Sequence, residues 1–243
     1  MPAAPNQRIR AGCLATADSF DALLDVLKQM QGLGYSGFCT TLRLLQTQTG
    51  RIEEVRAQLS VPALDLIGVR ASLPRYGEDA DRALEEIGRI AMAARQFGAR
   101  SLIAHSAGLA PDGKFTPEAL DAKAKFLDLA AKRCSETGIV FTYRTQDAEF
   151  QNDSAELTGL MSKTDVRKVY FSLDLARASK VYPDAVGLFR DHPNRTFAIE
   201  APFGDYPAHE LAAAIRHTKW ISWLIEAAPA ERPRAAIKKQ FGV

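Results

Sequence analysis

The sequence predicts an α/β fold, a single (β/α)8 barrel over residues 1–243. Three observations carry that expectation. Short apolar runs with strand character alternate eight times with stretches of helical periodicity. The links between them are short, and no composition shift or Pro/Gly/Ser-rich linker marks a domain boundary. Strand–helix alternation throughout means parallel pairing, and eight such units in a chain of about 250 residues close on themselves. An open doubly wound sheet is the competing architecture. It would carry a glycine-rich turn after its first strand; here that turn reads LATADSF, so no nucleotide cofactor is expected.

The first strand runs from Ile9 to Ala15, with small residues where a barrel interior is tight. Asp18 or Ser19 caps a helix to about Gly32, whose apolar stripe is Phe20, Leu23, Leu24, Leu27 and Met30. A strand follows over 35–40, a short helix over 52–59, and a third strand over 64–71 in which Arg70 interrupts the apolar run. The clearest helix is 78–97, stopped by Gly98; strand 101–105 follows and ends at His105. Thr116 caps a helix to Glu136 with Pro117 in its first turn, and Gly138 ends it. The fifth strand then emerges as GIVFTYRTQDAEF, apolar first and abruptly polar afterwards. Helices are expected over 154–162, 182–190, 207–216 and 233–240. Strands are expected over 168–174, 195–200 and 220–226, each ending in a carboxylate.

Composition narrows the function classes. The formal net charge is +2 with no basic block, which gives nucleic-acid binding no electrostatic support. No apolar run approaches the roughly 20 residues of a membrane span, and the N-terminus has no apolar signal core. The three cysteines lack CxxC spacing, which suggests a reducing, cytoplasmic setting. A homodimer is one oligomeric state open to the chain.

In a barrel, active sites lie at the C-terminal ends of the strands. The polar residues there are Arg70, His105, Tyr143, Arg144, Gln146, Glu149, Asp174, Arg177, Glu200 and Glu226. Four carboxylates from four consecutive strands cannot all ionise together without a counterion. They call for a divalent cation, a neighbouring arginine or raised pKa values, and oxygen ligation suits Mg²⁺ or Mn²⁺.

These segments resemble the xylose isomerase-like TIM barrels, the sugar phosphate isomerase/epimerase family. YRTQDAEF is similar to the family's YHNHxxEF, and FSLDLARA to its strand ending D-x-G-H. RTFAIEAP stands where the family has a strand ending H-x-K-D, and WISWLIE where its last strand ends in a metal-binding Glu. The resemblance implies metal ligation by Glu149, Asp174, Glu200 and Glu226, with Glu200 in place of the family's histidine. It also implies a sugar-like small-molecule substrate, and proton transfer next to a carbonyl by Glu149 or Glu226 with His105 as orienter or relay. Arg144 and Gln146 replace the paired histidines of the fifth strand, and Arg177 the histidine after Asp174. Arg70, Tyr143, Arg144, Gln146 and Arg177 are then the expected substrate-binding side chains. The arginines suit a bidentate clamp on a phosphate or carboxylate. The expected activity is isomerisation or epimerisation of a sugar, keto-sugar or polyol. The alternatives are a lyase or dehydratase on the same scaffold, or a metal-free barrel that binds a sugar-like or anionic ligand without turnover.

Overall fold

A computed structural model of the protein describes residues 10–74, 79–110, 114–181, 187–192, 194–200 and 223–227. Eight parallel strands close in sequence order, β1 pairing with both β2 and β8. They are β1 (Arg10–Leu14), β2 (Gly37–Thr41), β3 (Asp65–Ser72), β4 (Ser101–His105), β5 (Val140–Arg144), β6 (Val169–Asp174), β7 (Thr196–Glu200) and β8 (Trp223–Glu226). The helices between them are α1 (Phe20–Leu33), α2 (Leu42–Gln46), α3 (Ile52–Ser60), α4 (Ala80–Gln96), α5 (Pro117–Glu136), α6 (Gln151–Lys163), α7 (Leu175–Val181) and α8 (Gly187–Asp191). The expected helices over 207–216 and 233–240, the start of the eighth strand at 220–222, and the first strand's Ile9 lie outside the described residues.

The helix ends follow the local chemistry. Ser19 is the cap of α1, its hydroxyl accepting from the Ala22 N–H, and Asp79 and Thr116 do the same for α4 and α5. Gly34, Gly98 and Gly138 end the three helices with φ of 83°, 88° and 73°, a conformation that costs a side chain. Two elements depart from expectation. The chain turns into α2 directly after β2. After β6 a helix begins at Leu175, because the Asp174 carboxylate accepts from the Arg177 N–H at 3.0 Å and caps it on the spot. The expected helix over 182–190 is described only as α8, since residues 182–186 lie outside the described set.

Strand alternation sorts the core into two shells. Cys39, Ile67, Ile103, Ala198, Trp223 and Ile225 fill the barrel interior. Outward-facing strand residues, among them Phe38, Leu102, Phe141, Tyr143, Phe171 and Leu224, meet the helices in the larger outer shell. Trp223 plugs the N-terminal end of the barrel. It fits only because Gly37 has no side chain: a Cβ there would stand 2.7 Å from the indole ring. Arg10 lies over the indole 4.3 Å away and pairs with Asp65 at 2.6 Å, closing that end. All three cysteines are buried. Among the described residues no helix is long and apolar enough to cross a membrane.

Candidate functional site

At the opposite end, inward-facing positions of consecutive strands present charged side chains: Arg70 on β3, His105 on β4, Arg144 on β5, Asp174 on β6 and Glu200 on β7. Arg144 is central. Its Nε donates to both oxygens of Glu200, at 3.0 and 3.1 Å, and its Nη2 to Asp174 Oδ2 at 3.5 Å. Arg70 Nη2 stands 2.9 Å from Glu200 Oε2, and Ser172 Oγ donates to Oε1 at 2.8 Å. Asp174 is also held by Arg177, through its N–H at 3.0 Å and its Nε at 3.2 Å. Arg177 reaches out to the exposed Asp147 at 3.0 Å. His105 Nε2 lies 3.2 Å from Ser72 Oγ. Beside this network opens a pocket of about 800 Å³, lined in part by Thr41, Arg43, Arg70, Ser72, His105 and Arg144.

Two groups there are shifted. Burial, then the charges of Arg144 and Arg70, push the His105 imidazole below its usual pKa, so it stands neutral at pH 7. Burial raises Asp174, with Glu200 adding to the rise while the Arg177 N–H, Arg144 and Arg177 oppose it.

Four expected site residues, Tyr143, Gln146, Glu149 and Glu226, are elsewhere. Glu149 lies on the 3-10 turn Asp147–Phe150 and is fully buried outside the barrel. It is 2.8 Å from Lys123 Nζ on α5, accepts from the Gln146 N–H at 2.6 Å and takes a short hydrogen bond from the Tyr143 hydroxyl. Lys123 also meets Glu156 of α6 at 2.5 Å and the Ala107 carbonyl at 3.1 Å. Glu156 in turn accepts from the Leu109 N–H at 2.9 Å. Tyr143 faces the helices, being one residue from the inward Arg144, and its hydroxyl contacts Ser106 as well. Burial works against the Lys123 charge, but Glu149, Tyr143 and Glu156 outweigh it and hold the ammonium firmly protonated. The Gln146 side chain closes a capping box with Glu149 and donates to the Thr145 carbonyl at 3.1 Å, so its amide serves its own loop.

Glu226 follows the inward Ile225, so it points outward and receives a short hydrogen bond from the Tyr35 hydroxyl. Four carboxylates therefore do not meet. Only Asp174 and Glu200 share the barrel mouth, and each of their four oxygens already has a partner. Among the described residues no group of three or more His, Cys, Asp or Glu is arranged to hold a metal ion. Three guanidinium groups around two carboxylates do not fit a divalent cation, which they would repel. Lys123 is the residue that sequence reasoning missed. It stands with Leu120, Ala124 and Leu127 on the buried face of α5, and a lysine at that spacing was the available signal.

The architecture is a single (β/α)8 barrel, and the solved structures that the chain is similar to include xylose isomerase-like TIM barrels and sugar isomerases and epimerases. A sugar phosphate isomerase/epimerase from Parabacteroides distasonis superposes over 99% of this chain and 98% of its own, with TM-score 0.69 and 13% identity. A 3-keto-D-glucoside 4-epimerase from E. coli matches over 97% and 98%, with TM-score 0.66 and 18% identity. A probable 3-DHS dehydratase from Bacillus anthracis matches over 96% and 96%, with TM-score 0.72 and 12% identity. No family model matches the sequence, and no curated protein matches it. At these identities the likeness is one of fold.

Proposed function

We propose that the protein is an isomerase or epimerase of a sugar, keto-sugar or related polyol that moves a proton next to a carbonyl. The observation that carries this reading is a histidine beside two guanidinium groups on one wall of a pocket at the C-terminal mouth, where burial and those charges push its pKa down. Neutral His105 can accept the proton. Arg144 and Arg70 take the charge that develops on the carbonyl oxygen, donors already fixed by Glu200 before substrate arrives. Return of the proton to the neighbouring carbon isomerises the substrate. Return to the same carbon from the other face epimerises it and needs a second acid. Asp174, with its raised pKa and its place across β5 from His105, is the group for that role. The barrels it resembles include sugar epimerases, which supports the substrate class.

Incubation with a panel of keto-sugars in D2O tests the reading. Turnover carries one deuterium into product, and His105→Asn abolishes the exchange. A second reading, a barrel that binds an anionic ligand without turnover, draws on the engagement of both mouth carboxylates by arginine. It gains if no sugar exchanges. Elimination by a lyase or dehydratase would begin with the same proton abstraction and shows as loss of water in the mass spectrum.

A further inference from the structure

Three arginines meet two carboxylates at the barrel mouth. Arg70, Arg144 and Arg177 surround Asp174 and Glu200, and Arg177 spends its outer edge on Asp147. Arg70 and Arg144 share a single carboxylate between them. Among the described residues the Nη1 atoms of both have no hydrogen-bond partner. The two side chains line the 800 Å³ pocket, and Arg43, exposed on the same wall, pairs with no acid among the described residues. Glu200 fixes the orientation of both guanidiniums, so little rotamer entropy is lost when their remaining donors are used.

We infer that Arg144, with Arg70, is the built-in cation of this barrel: the mouth takes an oxyanion of its ligand, a carboxylate or a phosphate ester, directly on guanidinium and binds no divalent ion. The location rests on the reading above, but binding does not require turnover, so the two can fail separately. A metal would have to displace fixed positive charge and strip both carboxylates of their partners. An anion only completes donors that are already in place.

The test is calorimetry without substrate. Chelator-treated wild-type protein is titrated with Mn²⁺, with inorganic phosphate and with malonate. The expected result is no saturable Mn²⁺ binding, and saturable binding of at least one anion that weakens with added salt. Phosphate and malonate distinguish a phosphate ester from a carboxylate as the natural group. Arg144→Met should weaken that anion by about tenfold or more, and Arg144→Lys should fall between, keeping the charge but losing the fork. Stoichiometric Mn²⁺ binding by the wild type, or no binding of either anion, overturns the inference with no variant needed. So does anion binding that a folded Arg144→Met retains in full.

Discussion

Lys123→Met isolates the buried ion cluster outside the barrel. Lys123, Glu149 and Glu156 have side chains with 0% exposure, and the ammonium lies 2.8 and 2.5 Å from the two carboxylates. Methionine fills similar space and deletes the cation that contacts both acids. Removing one partner of a buried pair costs about 3–5 kcal/mol. An independent route agrees. If one glutamate takes up a proton to stay buried, protonating it at pH 7 from an unfolded pKa near 4.3 costs about 3.7 kcal/mol. For a chain of this length that lowers Tm by about 6–20 °C. The pH dependence is diagnostic. Burial already raises the Glu149 carboxyl in the wild type against the pull of Lys123, and without that ammonium the folded-state pKa rises further above the unfolded value. That group's contribution to stability is fully present below the unfolded value and is lost as pH rises towards the folded one, by up to about 1.4 kcal/mol per pH unit for one proton. The deficit against wild type should therefore shrink between pH 7 and pH 5. Calorimetric melts at both pH values measure it. Adding Glu149→Gln and Glu156→Gln should recover part of the loss, because no buried charge is then unpaired. A Lys123→Met protein that melts within a degree of wild type, or whose deficit ignores pH, refutes the assignment.

Two further outcomes are expected. The His105 ring should titrate below 6.5, because burial and the arginines disfavour its charged form. Its contribution to stability is present above the unfolded value and is lost as pH falls through the folded one. Arg144→Met removes one of those charges and should move the NMR midpoint upward; an unchanged midpoint would show that Arg144 does not act on the ring. The three thiols, each pushed up to about 12 chiefly by burial, should be inert to a disulfide reagent at pH 8 in the native protein. Denaturant should release three equivalents, and a thiol that reacts at once in the folded state would place it at the surface.

The barrel was legible because strand and helix punctuation is local. Gly34, Gly98 and Gly138 stop helices by their own conformation, and strand β4 spans the residues its apolar run marks. The site was legible only where strand parity happened to agree. Asp174, Glu200 and Glu226 each end an apolar run, and from sequence they look alike. Side chains alternate faces, so the inward Ser172 and Ala198 bring Asp174 and Glu200 inward, while the inward Ile225 sends Glu226 out. One strand cannot announce which parity faces inward; that is set by register with its neighbours. Helix α7 was readable in principle, since an Asp followed by Leu-Ala-Arg-Ala is a cap followed by helix formers.

The outer cluster and the mouth are joined by one short loop, which gives Glu149 a role despite its distance from the pocket. Glu149 binds the Gln146 N–H and Lys123, fixing the turn that follows β5. That turn carries Asp147, which holds the outer edge of Arg177. Arg177 in turn holds Asp174, and Asp174 meets Arg144. The chain of contacts runs from the helix layer to the central guanidinium with a hydrogen bond or ion pair at each link. Glu156, bonded to the Leu109 N–H, ties the loop after β4 to the same lysine, so the segments following His105 and Arg144 share one anchor. A buried lysine between two acids is costly as a source of stability. As a device for fixing two loops at once beside a barrel mouth it has a clear physical use. It makes the positions of His105 and Arg144 depend on the same ammonium group.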